Sequence, residues 1–431
     1  MTDTINLSKL ENFKFDIPKE LIASSPILPR DASRLLVIDD NADHYQDSKF
    51  KDITKFLYPG DIMIFNDTKV IPAALFGIKV SKHFKKNVDI NIIEYLNSEN
   101  NFSYWKCLIK GKKLIPGDKI LILKKIHRDK INKECNISNK NNFLSNLKYN
   151  IEDIKNIEDI EDILHKKINS TNEKVEYIEF QPDYKFIYTI LRLVNKEDDF
   201  IWIVKFEHSK INMLNKILPF FGEMPLPPYM RRSGEYNDKF SYQTVYAEKE
   251  GSVAGHTAGL HFTNELLDDI KRMGVEIHKI TLHIGAGTFL PIKTDNISDH
   301  KMHEEVYSID QETVNAIKKA KKNKQRIIAV GTTSMRALES AATNHWKLEQ
   351  LNLSNMFPIN TSKTSIFIRP GYKFLICDVL VTNFHMPCSS LFILVCAFGG
   401  YKKMMEAYQF AIKNKYRFFS YGDASIIFKK I

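Results

Sequence analysis

Short runs of β-branched and aromatic residues dominate the first half of the chain. DIMIF (61–65), NVDINIIEYL (87–96), WKCLIKG (105–111), DKILIL (118–123), KFIYTILRLV (185–194) and FIWIVKF (200–206) each have strand length, and several are bounded by Gly, Pro or Asn. They predict a small β domain over roughly Thr68 to Leu218. Inside it the pattern changes. From Ile131 to Asn150 seven of twenty residues are Asn, and the next segment, IEDIKNIEDIEDIL, places Ile at every third position. The stretch 125–180 therefore reads as a low-complexity excursion, too polar to bury much surface. The second half alternates instead. TNELLDDIKRMG predicts a helix capped by Thr263, with Leu266, Leu267, Ile270 and Met273 on one face and Gly274 as its stop. VEIHKITLHI (275–284) predicts a strand, and Asp310 caps a helix to about Asn323. RIIAV (326–330) predicts a buried strand, GTTS a turn and MRALESAA a helix. Strand–helix alternation of this kind points to an α/β domain.

Composition narrows the class. The chain has 431 residues, 43% of them hydrophobic and 26% charged, the profile of a globular protein. Lys and Arg number 62 against 52 Asp and Glu, a formal charge of +10, which suits a polyanionic partner. The apolar run LFILVCAF (391–398) is far short of the ~20 residues of a membrane span. The start, MTDTINLSKLENFKFD, lacks the apolar stretch of a secretory signal. Five cysteines without a two-residue spacing (107, 135, 377, 388, 396) read as free thiols of a reducing cytoplasm.

Six of the thirteen histidines, at 256, 261, 278, 283, 300 and 303, fall close together, and clustered titratable groups mark sites. His300 and His303 stand three apart, so a metal reading is weighed, but no acidic ligand has a matching spacing. HIGAGTFLP (283–291) lacks the third glycine of a dinucleotide fingerprint and reads as a tight turn. AVGTTSMRALES (329–340) puts Gly, two Thr and Ser at a strand-to-helix junction with Arg336 one turn on. That is either a plain cap or an anion seat. GEMPLPPYMRR (222–232) is stiff and extended, its Arg231 and Arg232 suited to phosphate. KYRFFSYGDA (415–424) mixes cations with aromatics, a pattern for stacking on bases or for a core.

Taken in order, these blocks resemble the S-adenosylmethionine:tRNA ribosyltransferase-isomerase family of queuosine biosynthesis. FDIPKELIASSPILPRDASRLLVID (15–39), GDIMIFNDTKVIPAALFG (60–77), YQTVYAEKEGSVAGHTAGLHFT (242–263), DHKMHEEVY (299–307) and IFIRPGYKFLICDVLVTNFHMP (366–387) complete the match. The resemblance spans nearly the whole chain and is weakest between about Lys124 and Ile217. It implies an α/β main domain, 1–67 with 219–431, interrupted by a smaller all-β, barrel-like domain, 68–218. It implies transfer and isomerisation of the ribosyl part of S-adenosylmethionine onto 7-aminomethyl-7-deazaguanine at the wobble position of a tRNA with a GUN-type anticodon. Epoxyqueuosine forms and adenine and methionine leave. S-adenosylmethionine is then a consumed substrate, with no cofactor, no metal and no membrane, and the enzyme a cytoplasmic monomer.

The chain departs from the family pattern at Gly255-His256, where Ala-Pro is usual, at Ala74, where an Arg is usual, and at Cys388 and Ser390. A base of the reaction is expected at His261 or His283, and Asp67 is expected to orient a ribose hydroxyl or an adenine nitrogen. Thr332, Thr333 and Arg336 are expected to hold the methionine carboxylate or an RNA phosphate, and Glu223 the deazaguanine edge. Tyr421 and Asp423 complete the expected pocket. The matching blocks add Arg231, Thr257, Gly259, Gly285, Gly287 and His385 as substrate-binding candidates. Two other readings stay open: a histidine–metal hydrolase built on His261, His283, His300 and His303, and a tRNA-binding protein that has lost catalysis.

Overall fold

The computed structural model describes residues 6–39, 45–80, 85–99, 102–123, 188–197, 201–206, 218–232, 234–285, 292–348 and 352–429. The Asn-rich stretch, the segment 125–180, Cys135 and Gly287 lie outside them. In chain order the first strands are β1 (Arg34–Ile38), β2 (Gln46–Lys49), β3 (Ile62–Asn66) and β4 (Thr68–Val70). Then come β5 (Ala74–Val80), β6 (Lys85–Glu99), β7 (Phe102–Lys110), β8 (Lys119–Leu123), β9 (Tyr188–Lys196) and β10 (Ile201–Phe206). They are followed by β11 (Lys249–Ser252), α1 (Asn264–Arg272), β12 (Glu276–Leu282), β13 (Glu305–Ile309) and α2 (Gln311–Lys322). The rest are β14 (Ile327–Val330), α3 (Thr332–Ser340), β15 (Ile359–Thr364), β16 (Val379–Asn383), α4 (Ser390–Gly399), α5 (Tyr401–Lys413) and β17 (Ala424–Phe428).

The chain divides into two compact units, Met1–Ile71 with Leu226–Ile431, and Pro72–Pro225. In the smaller unit the strands close into an antiparallel barrel in the order β10-β7-β6-β5-β8-β9. Its core follows from simple alternation, since successive side chains point to opposite faces. Trp202, Val204 and Phe206 of β10 are buried with Trp105, Cys107 and Ile109 of β7, and the residues between them are not.

The larger unit is built on a nine-stranded sheet, ordered β15-β13-β12-β3-β14-β16-β17-β1-β2. It is mixed. β3 runs parallel to β12 and β14, β14 parallel to β16 and β1 parallel to β17, whereas β16–β17, β12–β13, β13–β15 and β1–β2 are antiparallel. Central strands covered on both faces read as unbroken apolar runs. Ile62 and Ile64 of β3 and Ile327 and Ala329 of β14 join the core under α2, α3, α4 and α5. Met63, Phe65, Ile328 and Val330 join the opposite core, under Leu266, Leu267 and Ile270 of α1. The two predicted caps form as expected. The Thr263 side chain accepts from the Leu266 amide and the Asp310 side chain from the Thr313 amide. The apolar run at 391–398 becomes α4, buried among these helices. Among the described residues no helix is long and apolar enough to cross a membrane.

One expectation changes. GTTS is not a turn before the helix, because α3 already begins at Thr332. Gly331 makes the reversal alone, with φ 87°, a conformation that costs glycine little. The Ser334 hydroxyl then donates back to the Val330 carbonyl at 2.7 Å.

Candidate active site

The strand ends β14 and β16, the N-terminus of α3 and the loop 254–258 enclose a cleft of about 790 Å³ that opens to solvent. Five of the sequence candidates line it: Thr257, Thr332, Thr333, Arg336 and His385. His256, Asn383 and Ser420 line it as well. The first residues of α3 line the cleft, and the first-turn amides of a helix have no partner within it.

Two buried polar atoms on this cleft lack partners among the described residues. Arg336, 4% exposed, spends Nη1 on the Glu305 carboxylate and Nε on the Ile366 carbonyl at 3.4 Å. Its Nη2 has no hydrogen-bond partner among the described residues. Asn383, 1% exposed, donates Nδ2 to the Phe419 carbonyl at 3.1 Å and to His261 Nε2 at 3.2 Å. A carbonyl can only accept, so the amide orientation is set, and Oδ1 is left without a partner among the described residues. Buried polar groups are nearly always paired. One cleft therefore presents an unused donor and an unused acceptor.

Three histidines surround these groups, and burial pushes all of them down. His256 Nε2 takes the Asn66 amide at 3.4 Å and meets the Tyr246 hydroxyl at 3.3 Å, and Nδ1 faces Thr333 Oγ1 at 3.4 Å. An amide only donates, so the proton of the neutral ring sits on Nδ1. Burial lowers its pKa to about 3. His385 contacts Thr382 Oγ1 through Nε2 at 2.8 Å, and burial lowers it to about 3. His261 has both nitrogens engaged, Nε2 by Asn383 and Nδ1 by Ser33 Oγ at 2.8 Å, and it stacks on Phe50. Burial lowers it to about 4, against the Asn383 hydrogen bond. His261 does not line the cleft. With Tyr421 and Arg30 it lines a separate hollow of about 340 Å³, and Ser420 borders both spaces.

The remaining candidates fall elsewhere. Asp67 Oδ1 accepts from the Thr281 hydroxyl at 2.7 Å, and Oδ2 lies 3.7 Å from Lys249 Nζ. His283, beside it, contacts Thr68 Oγ1 through Nδ1 at 3.0 Å and is lowered by burial. Neither lines the cleft. Asp423 is held by the backbone, each oxygen accepting one amide at 2.8 Å, from Arg34 and from Arg417, so it clamps the loop after α5. Tyr421 donates to Asp238 Oδ1 at 2.8 Å. Gly259 is required by packing, because a Cβ there would fall 1.9 Å from the Tyr246 hydroxyl. A Cβ on Gly285 would meet nothing within 4 Å. Arg231 is exposed, with φ 51°, at the end of a short turn, and Arg232 instead grips Asp238 at 2.6 and 2.8 Å. Glu223 belongs to the barrel unit, where its backbone pairs with Ala74. The aromatics of KYRFFSYGDA go to the core, Tyr416 and Phe418 with no exposure.

Sequence reasoning missed Asn383, Asn66 and Glu305. Asn66 braces the end of β12, its Oδ1 accepting from the Leu282 amide and its Nδ2 donating to the Leu282 carbonyl, both at 2.9 Å. The one available signal was an Asn at each strand end, FND and TNF. Among the described residues no three His, Cys, Asp or Glu side chains gather to hold a metal ion. The described cysteines, 107, 377, 388 and 396, are free thiols.

Comparison with known proteins gives a consistent result. A family model described as queuosine biosynthesis protein matches residues 10–427. A relative from Rickettsia bellii (strain RML369-C) is 39% identical over 436 residues, which cover 98% of this chain and 100% of the relative. One from Halothermothrix orenii is 38% identical, over 97% of this chain and 99% of the relative. Both are named S-adenosylmethionine:tRNA ribosyltransferase-isomerase. A solved structure of S-adenosylmethionine tRNA ribosyltransferase from Thermotoga maritima is 27% identical, over 96% of this chain and 99% of that chain, with a TM-score of 0.45. With the family model covering nearly the whole chain, the resemblance read from its ordered blocks is established, and the chain belongs to the queuosine biosynthesis protein family, that of the S-adenosylmethionine:tRNA ribosyltransferase-isomerases.

Proposed function

We propose that the protein transfers and isomerises the ribosyl moiety of S-adenosylmethionine onto 7-aminomethyl-7-deazaguanine at the wobble position of a cytoplasmic tRNA with a GUN-type anticodon. The products are epoxyqueuosine-tRNA, adenine and methionine. The observation that carries the reading is the pair of buried, unpartnered atoms on one cleft, Arg336 Nη2 and Asn383 Oδ1. An α-amino acid offers their complement. Its carboxylate suits Arg336, aided by the amides and hydroxyls at the start of α3. Its ammonium suits the Asn383 oxygen. The methionyl end of the substrate would fill both needs at once.

The chemistry begins at the carbon next to the sulfonium, whose C–H is acidified by the positive sulfur. A base must take that proton, and the aminomethyl group of the base must be neutral to attack the ribose. Of the expected bases, His261 has both ring nitrogens engaged, and neither His261 nor His283 lines the cleft. His385 lines it, with Nε2 oriented by Thr382. Burial keeps it neutral at physiological pH, the proton-accepting form, and makes it a weaker base than an exposed histidine. We therefore place the base at His385 and give His261 the task of holding Asn383. Arg336, Thr332 and Thr333 bind the methionyl group.

The test is incubation of the purified chain with S-adenosylmethionine and a tRNA carrying 7-aminomethyl-7-deazaguanine. Adenine release and the matching mass gain on the wobble nucleoside are expected. Tight tRNA binding with no adenine released would overturn the reading and leave a binding protein without catalysis.

A further inference from the structure

Next to the hollow that holds His261 and Tyr421 the surface carries two large exposed rings. Tyr236 is 72% and Phe240 62% exposed. They sit on and just before the one-turn helix Asp238–Ser241 and meet edge to face with centroids 5.8 Å apart. Lys239 Nζ lies 5.7 Å from the Tyr236 ring centre. Leu28, 74% exposed, stands at the rim of the same hollow with Ser241. Arg30 ties the two sides together. Its Nη1 donates to the Gln243 carbonyl at 2.6 Å and its Nη2 to the Phe240 carbonyl. Both acceptors are neutral, so these contacts fix the guanidinium without cancelling its charge. Of the two carboxylates beside the rings, Asp238 is occupied by Arg232, and Glu235 is exposed directly before Tyr236.

Exposed rings grouped on a surface mark an interaction site. The rings offer flat π-faces, the cations beside them favour a polyanion, and the chain carries a formal +10. An unpaired nucleotide matches all three, because its base stacks on aromatic side chains and its phosphate meets the cations. Ser420 forms part of the wall of both the hollow and the cleft, so the hollow beside these rings adjoins the cleft.

We propose that Tyr236, Phe240 and Arg30 form a stacking platform for an unpaired nucleotide of the tRNA anticodon loop that flanks the modified base. The inference rests on the transferase reading above. The two rings are exposed and outside both cores, so Tyr236→Ala, Phe240→Ala and their double variant test the platform without disturbing the fold. With adenine release as the readout, the KM for tRNA is expected to rise about tenfold for each single change. The kcat at saturating tRNA and the KM for S-adenosylmethionine hold, and Phe240→Trp keeps the wild-type value. An unchanged tRNA KM in the double variant overturns the proposal. So does a shift from dimer to monomer on light scattering without a change in tRNA KM, which would assign the rings to a contact between copies. If the wild-type chain releases no adenine, the transferase reading is what has failed. Direct titration of an anticodon stem-loop, with affinity lost in the double variant, then decides the platform by itself.

Discussion

His256, His261 and His385 are held neutral by burial, with pKa values lowered to about 3, 4 and 3. In the unfolded chain each returns to an ordinary value near ~6.5. Between about pH 6.5 and pH 4 the unfolded state therefore binds more protons than the folded one, and stability rises with pH. Acidification through that window costs on the order of 1 kcal/mol per pH unit for each of the three. His256→Gln is expected to lower the pH slope of the unfolding free energy by about that amount, measured by urea denaturation at a series of pH values. An unchanged slope would mean that His256 titrates normally in the fold. His385→Gln is expected to lower kcat by ~10²–10⁴ with little effect on S-adenosylmethionine binding, read by single-turnover adenine release and by calorimetry. At this scale the sequence discloses residue types and not partners. Thr332, Thr333 and Arg336 were legible because they share one short block. Asn383 was not, because the atoms that orient it come from His261 and Phe419, far away along the chain.

The junction of β14 and α3 shows the same division among elements. The strand and the helix follow from local pattern, and so do the caps at Thr263 and Asp310, because a capping side chain serves an amide three residues away. The exact start of α3 depends on packing. Gly331 has φ 87°, and a Cβ there would come within 2.6 Å of the His256 ring. Gly331→Ala is therefore expected to destabilise the chain by about 1–3 kcal/mol and to weaken S-adenosylmethionine binding, measured by denaturation and calorimetry. This contact also gives Gly255-His256 a physical meaning. The unusual histidine is wedged between Gly331, Thr333 and Asn66, where it braces the helix start that faces the cleft. The π-helical turn Ala341–His345 that ends α3 had no signal in the apolar spacing. Neither did the buried carboxylate of Glu339, which accepts the amides of Leu375, Ile376 and Cys377 at 2.9, 3.0 and 3.0 Å and so anchors the segment before β16.

For the molecule as a whole, charge and topology matter most. A chain of formal charge +10 that acts on tRNA is expected to lose activity steeply with salt at limiting tRNA, as displaced counterions return to the phosphates. The KM for tRNA measured at several salt concentrations checks this, and a flat response would remove the electrostatic part of the account. The existence of a β region and an α/β region was legible in the alternation and spacing of apolar residues. The strand order was not, since periodicity says which face of a strand is buried and never which strand lies beside it. β17 is the clearest case. It lies between β16 and β1, so β1 and β2 join the sheet through it. During synthesis β1 emerges early and waits for a neighbour that is translated after every other described strand. The barrel strands have their partners within one continuous stretch, Pro72–Pro225, and can pair while the ribosome is still at work. The sheet that holds the cleft closes only afterwards, so premature termination before Ala424 would yield a chain with a finished barrel and an unjoined N-terminal strand pair.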